Sequence, residues 1–217
     1  MRIILLLFGV VFPPQLLALT INFNCITYNN SVDCDTGESQ FFVEISKSDE
    51  EKVLFTFTNN GSNQSFVSNI YFDHNNTIEY LDLVDTDQGV DGDLGVDFSL
   101  GSNPNNLPAA NSLDDPFVSI VSFSNDPGAA NGIQTGESLG IFFYLINNNG
   151  YDDLINEIRN SQFKIGLHGQ GFIGGGSESF TNSTTVVPLP ITAWLFGSGL
   201  MVLLGACKRS KRTRINN

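Results

Sequence analysis

The chain has 217 residues, 41% hydrophobic and only 15% charged, with a net charge of −13. All 23 Asp and Glu lie between residues 21 and 180, where only Lys47, Lys52, Arg159 and Lys164 oppose them, a balance of −19. Nucleic-acid binding needs clustered cations matched to phosphates, so this charge excludes it.

In chain order, residues 1–20 come first. They carry Arg2, an apolar run from Ile3 to Phe12, a Pro13-Pro14 break and small residues at Ala18 and Thr20, the layout of a cleavable secretory signal peptide. The apolar run is too short for a membrane span, which takes about 20 residues. Export makes Cys25 and Cys34 the only cysteines of the exposed part, and in an oxidising compartment such a pair is expected to form a disulfide.

Residues 21–180 have the length of one domain and the periodicity of strands. Val53, Phe55 and Phe57 alternate with Leu54, Thr56 and Thr58, and Phe66, Ser68, Ile70 and Phe72 alternate with Val67, Asn69, Tyr71 and Asp73. Further strands are expected at Phe41–Ser46, Ile78–Val84, Phe117–Phe123, Leu139–Ile146 and Phe163–Leu167, punctuated by Asn-Gly turns at Asn60, Asn131 and Asn149. One short helix is expected at Tyr151–Asn160, where Asp152 and Asp153 suit the first turn and Leu154, Ile155 and Ile158 share a face. The sum is a mainly β domain, an antiparallel β-sandwich of jelly-roll or immunoglobulin-like type, with 18 phenylalanines for its core.

Chemistry is thin along this stretch. Asp85, Asp87, Asp91, Asp93 and Asp97 alternate with glycines and could wrap Ca²⁺, which takes oxygens from a flexible loop, although the EF-hand spacing is not met. A solvated acidic loop is the plainer reading. Gly169, Gly171 and Gly174 spell G-x-G-x-x-G, but no helix is expected after them, so a tight turn is favoured over a dinucleotide site. His74 and His168 are too few for a zinc site or a triad and are read as strand or turn residues. Catalytic residues are therefore assigned to none of these groups, and no cofactor is expected beyond the calcium option. A Ser/Thr-rich linker over 181–186 follows.

The C-terminal stretch begins with Val187, Pro188, Leu189 and Pro190 and continues as an uncharged run over 191–207 containing Trp194. As a helix that run would rise about 25 Å, close to the ~30 Å of a hydrocarbon core. Lys208, Arg209, Lys211, Arg212 and Arg214 follow at once, a cluster that stays on the cytoplasmic side and leaves the body outside. This order of proline motif, apolar helix and basic cluster over 187–214 resembles the PEP-CTERM sorting signal, with Val187 to Pro190 similar to its VPLPA form. The resemblance implies export in a Gram-negative bacterium, recognition and cleavage by an exosortase near the prolines, and delivery from the inner membrane to the cell surface or extracellular matrix. The segments FTFTNNGSNQSFVSNIYFD, GVDFSLGSNPNNLPAAN and IGLHGQGFIGGGSESFTN are also similar to a group of PEP-CTERM proteins to which no activity is assigned. The expected role is non-enzymatic, with exosortase and membrane as partners; the alternative is an adhesion module for exopolysaccharide or calcium.

Overall fold

A computed structural model describes residues 18–74, 76–85, 95–125 and 128–188, with no account of side chains at 83–85 and 184–188. The chain divides into two units, Met1–Val186 and Val187–Asn217, and the described elements lie in the first, β11 alone running on to Pro188. Its elements are β1 (Ala18–Cys25), α1 (Ser31–Gln40), β2 (Phe41–Lys47), β3 (Lys52–Asn59), β4 (Phe66–Asp73), β5 (Ile78–Asp85), β6 (Phe98–Leu100), β7 (Val121–Asn125), β8 (Ile133–Gln134), β9 (Ser138–Leu145), α2 (Tyr151–Arg159), β10 (Lys164–Gln170) and β11 (Glu178–Pro188). The fold is mainly β. One sheet runs β5-β9-β3-β2-β1-β11-β10-β4-β7-β6, with β8 paired to β4, and every ladder with a described register is antiparallel.

The alternation read from the sequence sets the inner face. In β2 and β3, Val43 pairs with Phe57 and Ile45 with Phe55, and all four are buried. Strands β3 and β9 lie far along the sheet from β4 and β7, yet their rings meet. Phe72 of β4 lies 5.5 Å from Phe55, 6.0 Å from Phe57 and 4.9 Å from Phe143, centroid to centroid. Its other ring neighbours are Phe123 of β7 and Phe163, just before β10, each at 6.2 Å. The sheet therefore curls until its two halves face each other across phenylalanine, mostly edge to face as the ring quadrupole prefers.

Strand β4 is buried on both faces. Ile70 and Phe72 point into the main core, while Tyr71 belongs to a second, smaller cluster with Leu107, Ala110 and Phe117. That cluster sits beneath residues 101–120, which cross the outer face and come so near that a Cβ on Gly166 would lie 2.9 Å from Leu107 Cδ2. The Tyr71 hydroxyl donates to the Pro104 carbonyl, and Lys164 Nζ pairs with Asp115 Oδ2 at 2.5 Å and Asp73 Oδ2 at 3.5 Å. The strand expected at Phe117–Phe123 accordingly starts only at Val121, because Phe117 is drawn onto Tyr71 and Val118 donates its amide to Asp73. The β4 alternation also breaks once: a register shift against His168 and Gly169 leaves Ser68 extra, so Val67 joins the core.

Helix α2 matches the expected span, capped by Asp153, whose carboxylate accepts the Gly150 amide, and anchored by Leu154 and Ile158. Among the described residues two α-helices are present where one was expected in the body. The unexpected α1 lacks an apolar face; Asn30 caps it, and Gly37 lies so close to Phe180 that a Cβ there would be 2.2 Å from the ring. Two boundaries also differ. β1 starts at Ala18, inside the stretch read as signal peptide, with Leu19 buried against Ile45; β11 occupies 181–186, read as linker, because Thr181 extends the ladder to Gly166. The expected membrane helix over 191–207 lies outside the described residues, among which no helix is long and apolar enough to cross a membrane.

Replacing Phe72 by Ala would open a cavity shared by both halves of the sheet. A destabilisation of about 3–5 kcal/mol is expected from urea unfolding; a loss under about 1 kcal/mol would show that the halves do not depend on this ring.

Candidate functional site

The densest polar arrangement surrounds Glu178, the first residue of β11, which is 1% exposed. The chain from Cys25 to Asn30 wraps its carboxylate: Thr27 Oγ1 donates to Oε2, the Asn29 amide donates to Oε2 at 3.1 Å, and the Asn30 amide donates to Oε1 at 2.7 Å. A buried carboxylate is tolerated when each oxygen receives such donors. Beside it Cys25 and Cys34 form a disulfide with Cα atoms 5.4 Å apart, which ties the end of β1 to α1. Glu38 of α1 closes the loop by accepting the Cys25 amide at 2.8 Å.

Cys25, Cys34 and Glu178 place their ligand-type atoms within 4.8 Å of one another. Metal binding by cysteine uses the thiolate, and sulfurs joined to each other carry none. The group is therefore a covalent and hydrogen-bonded staple in this form. Asp33, in the first turn of α1, is also buried; Oδ1 accepts the Gly174 amide at 3.2 Å, and Oδ2 has no partner among the described residues.

The glycine run serves this staple. A Cβ on Gly169 would press on Phe41 and Phe172, and one on Gly174 would lie 2.5 Å from the Asn30 side chain. Gly171 has φ +68, which a residue with a Cβ rarely adopts. β11 follows rather than a helix, so the phosphate-binding context is missing and the run is a close-packed turn.

The histidines are separate. His74, in the turn after β4, stacks on Phe163 at 5.5 Å and accepts the Thr77 amide through Nδ1. His168 lies in β10 with both ring nitrogens buried and without a partner among the described residues. Its cross-strand neighbour Ser179 has a buried, unpartnered Oγ, and no hydrogen bond joins the two as a nucleophile–base pair would require. Burial pushes both imidazoles below the usual range, opposed by the negative charge of Asp73 at His74 and of Glu178 at His168.

Two open grooves lie among the described residues. One, about 610 Å³, is lined by Glu50, Glu51, Glu79, Tyr144 and the 145–150 turn; the other, about 320 Å³, is lined by Ser68, Asn69, Asn103, Ser124, Gln170 and neighbours. Of the calcium candidates, Asp97 is exposed and its amide donates to the Asn131 carbonyl; Asp85 ends β5 with its side chain undescribed, and Asp87, Asp91 and Asp93 lie outside the described residues. Val187 and Pro188 end β11, whereas Leu189, Pro190, Trp194 and the basic cluster Lys208 to Arg214 lie outside them. Sequence reasoning missed Glu178 and Asp33, since nothing local marks an acid that the fold will bury.

Comparison with protein-family models, with curated proteins and with solved structures gives no match for this chain.

Two measurements test this region. Because folding lowers the affinity of His74 and His168 for protons, the unfolded chain binds more protons once the pH falls below about 6.5. Their contribution is complete above that pH and is lost as the pH falls through the folded values. Melting temperature should therefore decline as the pH falls below about 6.5, with a shallower slope in His74→Gln/His168→Gln; an unchanged slope refutes the assignment. Replacing both Cys25 and Cys34 by Ser should lower stability by about 2–4 kcal/mol in urea unfolding, and equal midpoints would show that the covalent tie is dispensable.

Proposed function

We propose that this chain is an exported, non-catalytic surface or extracellular-matrix protein, sorted and cleaved by an exosortase at its C-terminal signal. The observation that carries the reading is the buried Cys25–Cys34 disulfide, a bond that persists in oxidising compartments outside the cytoplasm. It agrees with the export signal over 1–20 and with the strong negative charge of the body, which favours a soluble, mutually repelling surface. In this reading the two halves of the curled sheet are the layers of a β-sandwich of jelly-roll or immunoglobulin-like type. The motif from Val187 to Pro190 is the recognition site, 191–207 the anchor of the precursor, and Lys208 to Arg214 the orientation signal.

A second reading is an adhesion module for polysaccharide or calcium; its polysaccharide form is favoured by the groove beside β4, where Ser68, Asn69, Ser124 and Gln170 offer hydroxyls and amides.

Intact-mass and C-terminal peptide analysis of the protein recovered from the surface and medium of its host tests the sorting reading. A C-terminus near Pro188 or Pro190 is expected, and one at Asn217 overturns it.

A further inference from the structure

Three ligand-type side chains from separate elements converge on one buried spot. Cys25 ends β1, Cys34 stands near the N-terminal end of α1, and Glu178 opens β11. They are 3%, 1% and 1% exposed, and their sulfur and carboxylate atoms lie within 4.8 Å of one another. Glu178 makes no ion pair among the described residues; its charge rests on hydrogen bonds from Thr27, Asn29 and Asn30.

The spacing is that of a small tetrahedral site. Zn²⁺ binds thiolate sulfur at about 2.3 Å and carboxylate oxygen at about 2.0 Å, so a sulfur and an oxygen on the same ion stand about 3.5 Å apart. Cys25 Sγ stands 3.6 Å from Glu178 Oε2. Two sulfurs on one ion stand about 3.8 Å apart, a spacing that side-chain rotation reaches from Cα atoms 5.4 Å apart. The Asn29 and Asn30 amides already orient the carboxylate, as the outer partners of a metal-binding carboxylate do. Two thiolates and a carboxylate around a divalent ion leave one net negative charge, which the N-terminal end of α1 beside Cys34 favours. Thr27 is half-buried and Tyr28 and Asn29 are exposed, so the segment that wraps the carboxylate also reaches solvent.

We propose that the reduced chain holds Zn²⁺ on Cys25 Sγ, Cys34 Sγ and Glu178 Oε2, with water in the fourth position, and that the metal and the disulfide are alternative occupants of one site. A dithiol delivers two electrons and two protons to the Cys25–Cys34 bond and closes to its own disulfide. The two thiols that result pass their protons to solvent as the ion binds. In the reverse direction a disulfide donor takes the two electrons and two solvent protons, the sulfurs couple and the ion leaves. Ca²⁺ and Mg²⁺ take all-oxygen ligand sets, whereas thiolates select Zn²⁺. The tie between β1 and α1 is thus kept in both states, and this inference goes beyond the sorting reading without depending on it.

The test uses the full-length chain in detergent with Cys207→Ala, which removes the remaining thiol. The chain is reduced by a dithiol, freed of it in the absence of air, and titrated with Co²⁺ as a spectroscopic substitute for Zn²⁺. A near-ultraviolet thiolate-to-Co²⁺ band and the visible bands of a tetrahedral ion are expected, saturating at one ion per chain, lost on adding Zn²⁺ and absent from the oxidised chain. Both should vanish in Cys25→Ser/Cys34→Ser, and Glu178→Gln should weaken Co²⁺ binding at least about tenfold. Glu178→Asp, which keeps the charge and shortens the reach, gives the same reading where Glu178→Gln does not fold. Glu38→Gln, whose carboxylate accepts the Cys25 amide and stands outside the group, should bind as the parent does. No thiolate band in the reduced parent, octahedral spectra, or parental affinity in the Glu178 variants overturns the proposal. The sorting reading stands or falls separately on the C-terminal mass.

Discussion

The fold depends on one ring. Phe72 meets Phe55 and Phe57 of β3, Phe143 of β9, Phe123 of β7 and Phe163 before β10, so it touches both halves of a sheet that would otherwise lie open. A strongly twisted sheet of this many strands must close, split or bury its inner face on something. Here it buries that face on itself. Once the inner rings fix the curl, the outer face of β4 is left to residues 101–120 and to the groove lined by Ser68 and Asn69.

The carboxylates give a second theme. Several of them fasten turns by accepting backbone amides: Glu178 holds Asn29 and Asn30, Glu38 holds Cys25, Glu137 holds Gln134, Asp73 holds Val118, and Asp153 caps α2. A charged acceptor on a backbone N–H makes a stronger bond than a neutral one. Part of the acidity that looks like surface charge in the sequence is thus internal architecture. The loops of a protein with few cations are held by anions binding peptide groups.

This explains which parts were legible in advance. β2, β3, β9 and α2 each carry their own periodicity, and their burial follows it except at Gly140 of β9. Helix α1 has no such stripe; it exists because Asn30 caps it, Cys34 is bonded to Cys25, and Gly37 lets Phe180, remote in the chain, approach. β6 and β8 are too short for any period to register, and β11 is rich in Ser and Thr, so that its pairing with β1 and β10 defines it. The candidate groove was illegible for a related reason: Asn69, Ser124 and Gln170 become neighbours only through ladder registers, and the Ser68 bulge that shapes its edge leaves no local mark.

Strand β11 is the last described element, and it has a partner on each side, β1 and β10. A strand at the edge of a sheet can be peeled away one hydrogen bond at a time by tension on its free end. A strand in the middle shares the load between two ladders, and here one of those neighbours is also locked covalently to α1. Tension drawn through the C-terminal end of this body would therefore load two ladders at once instead of one.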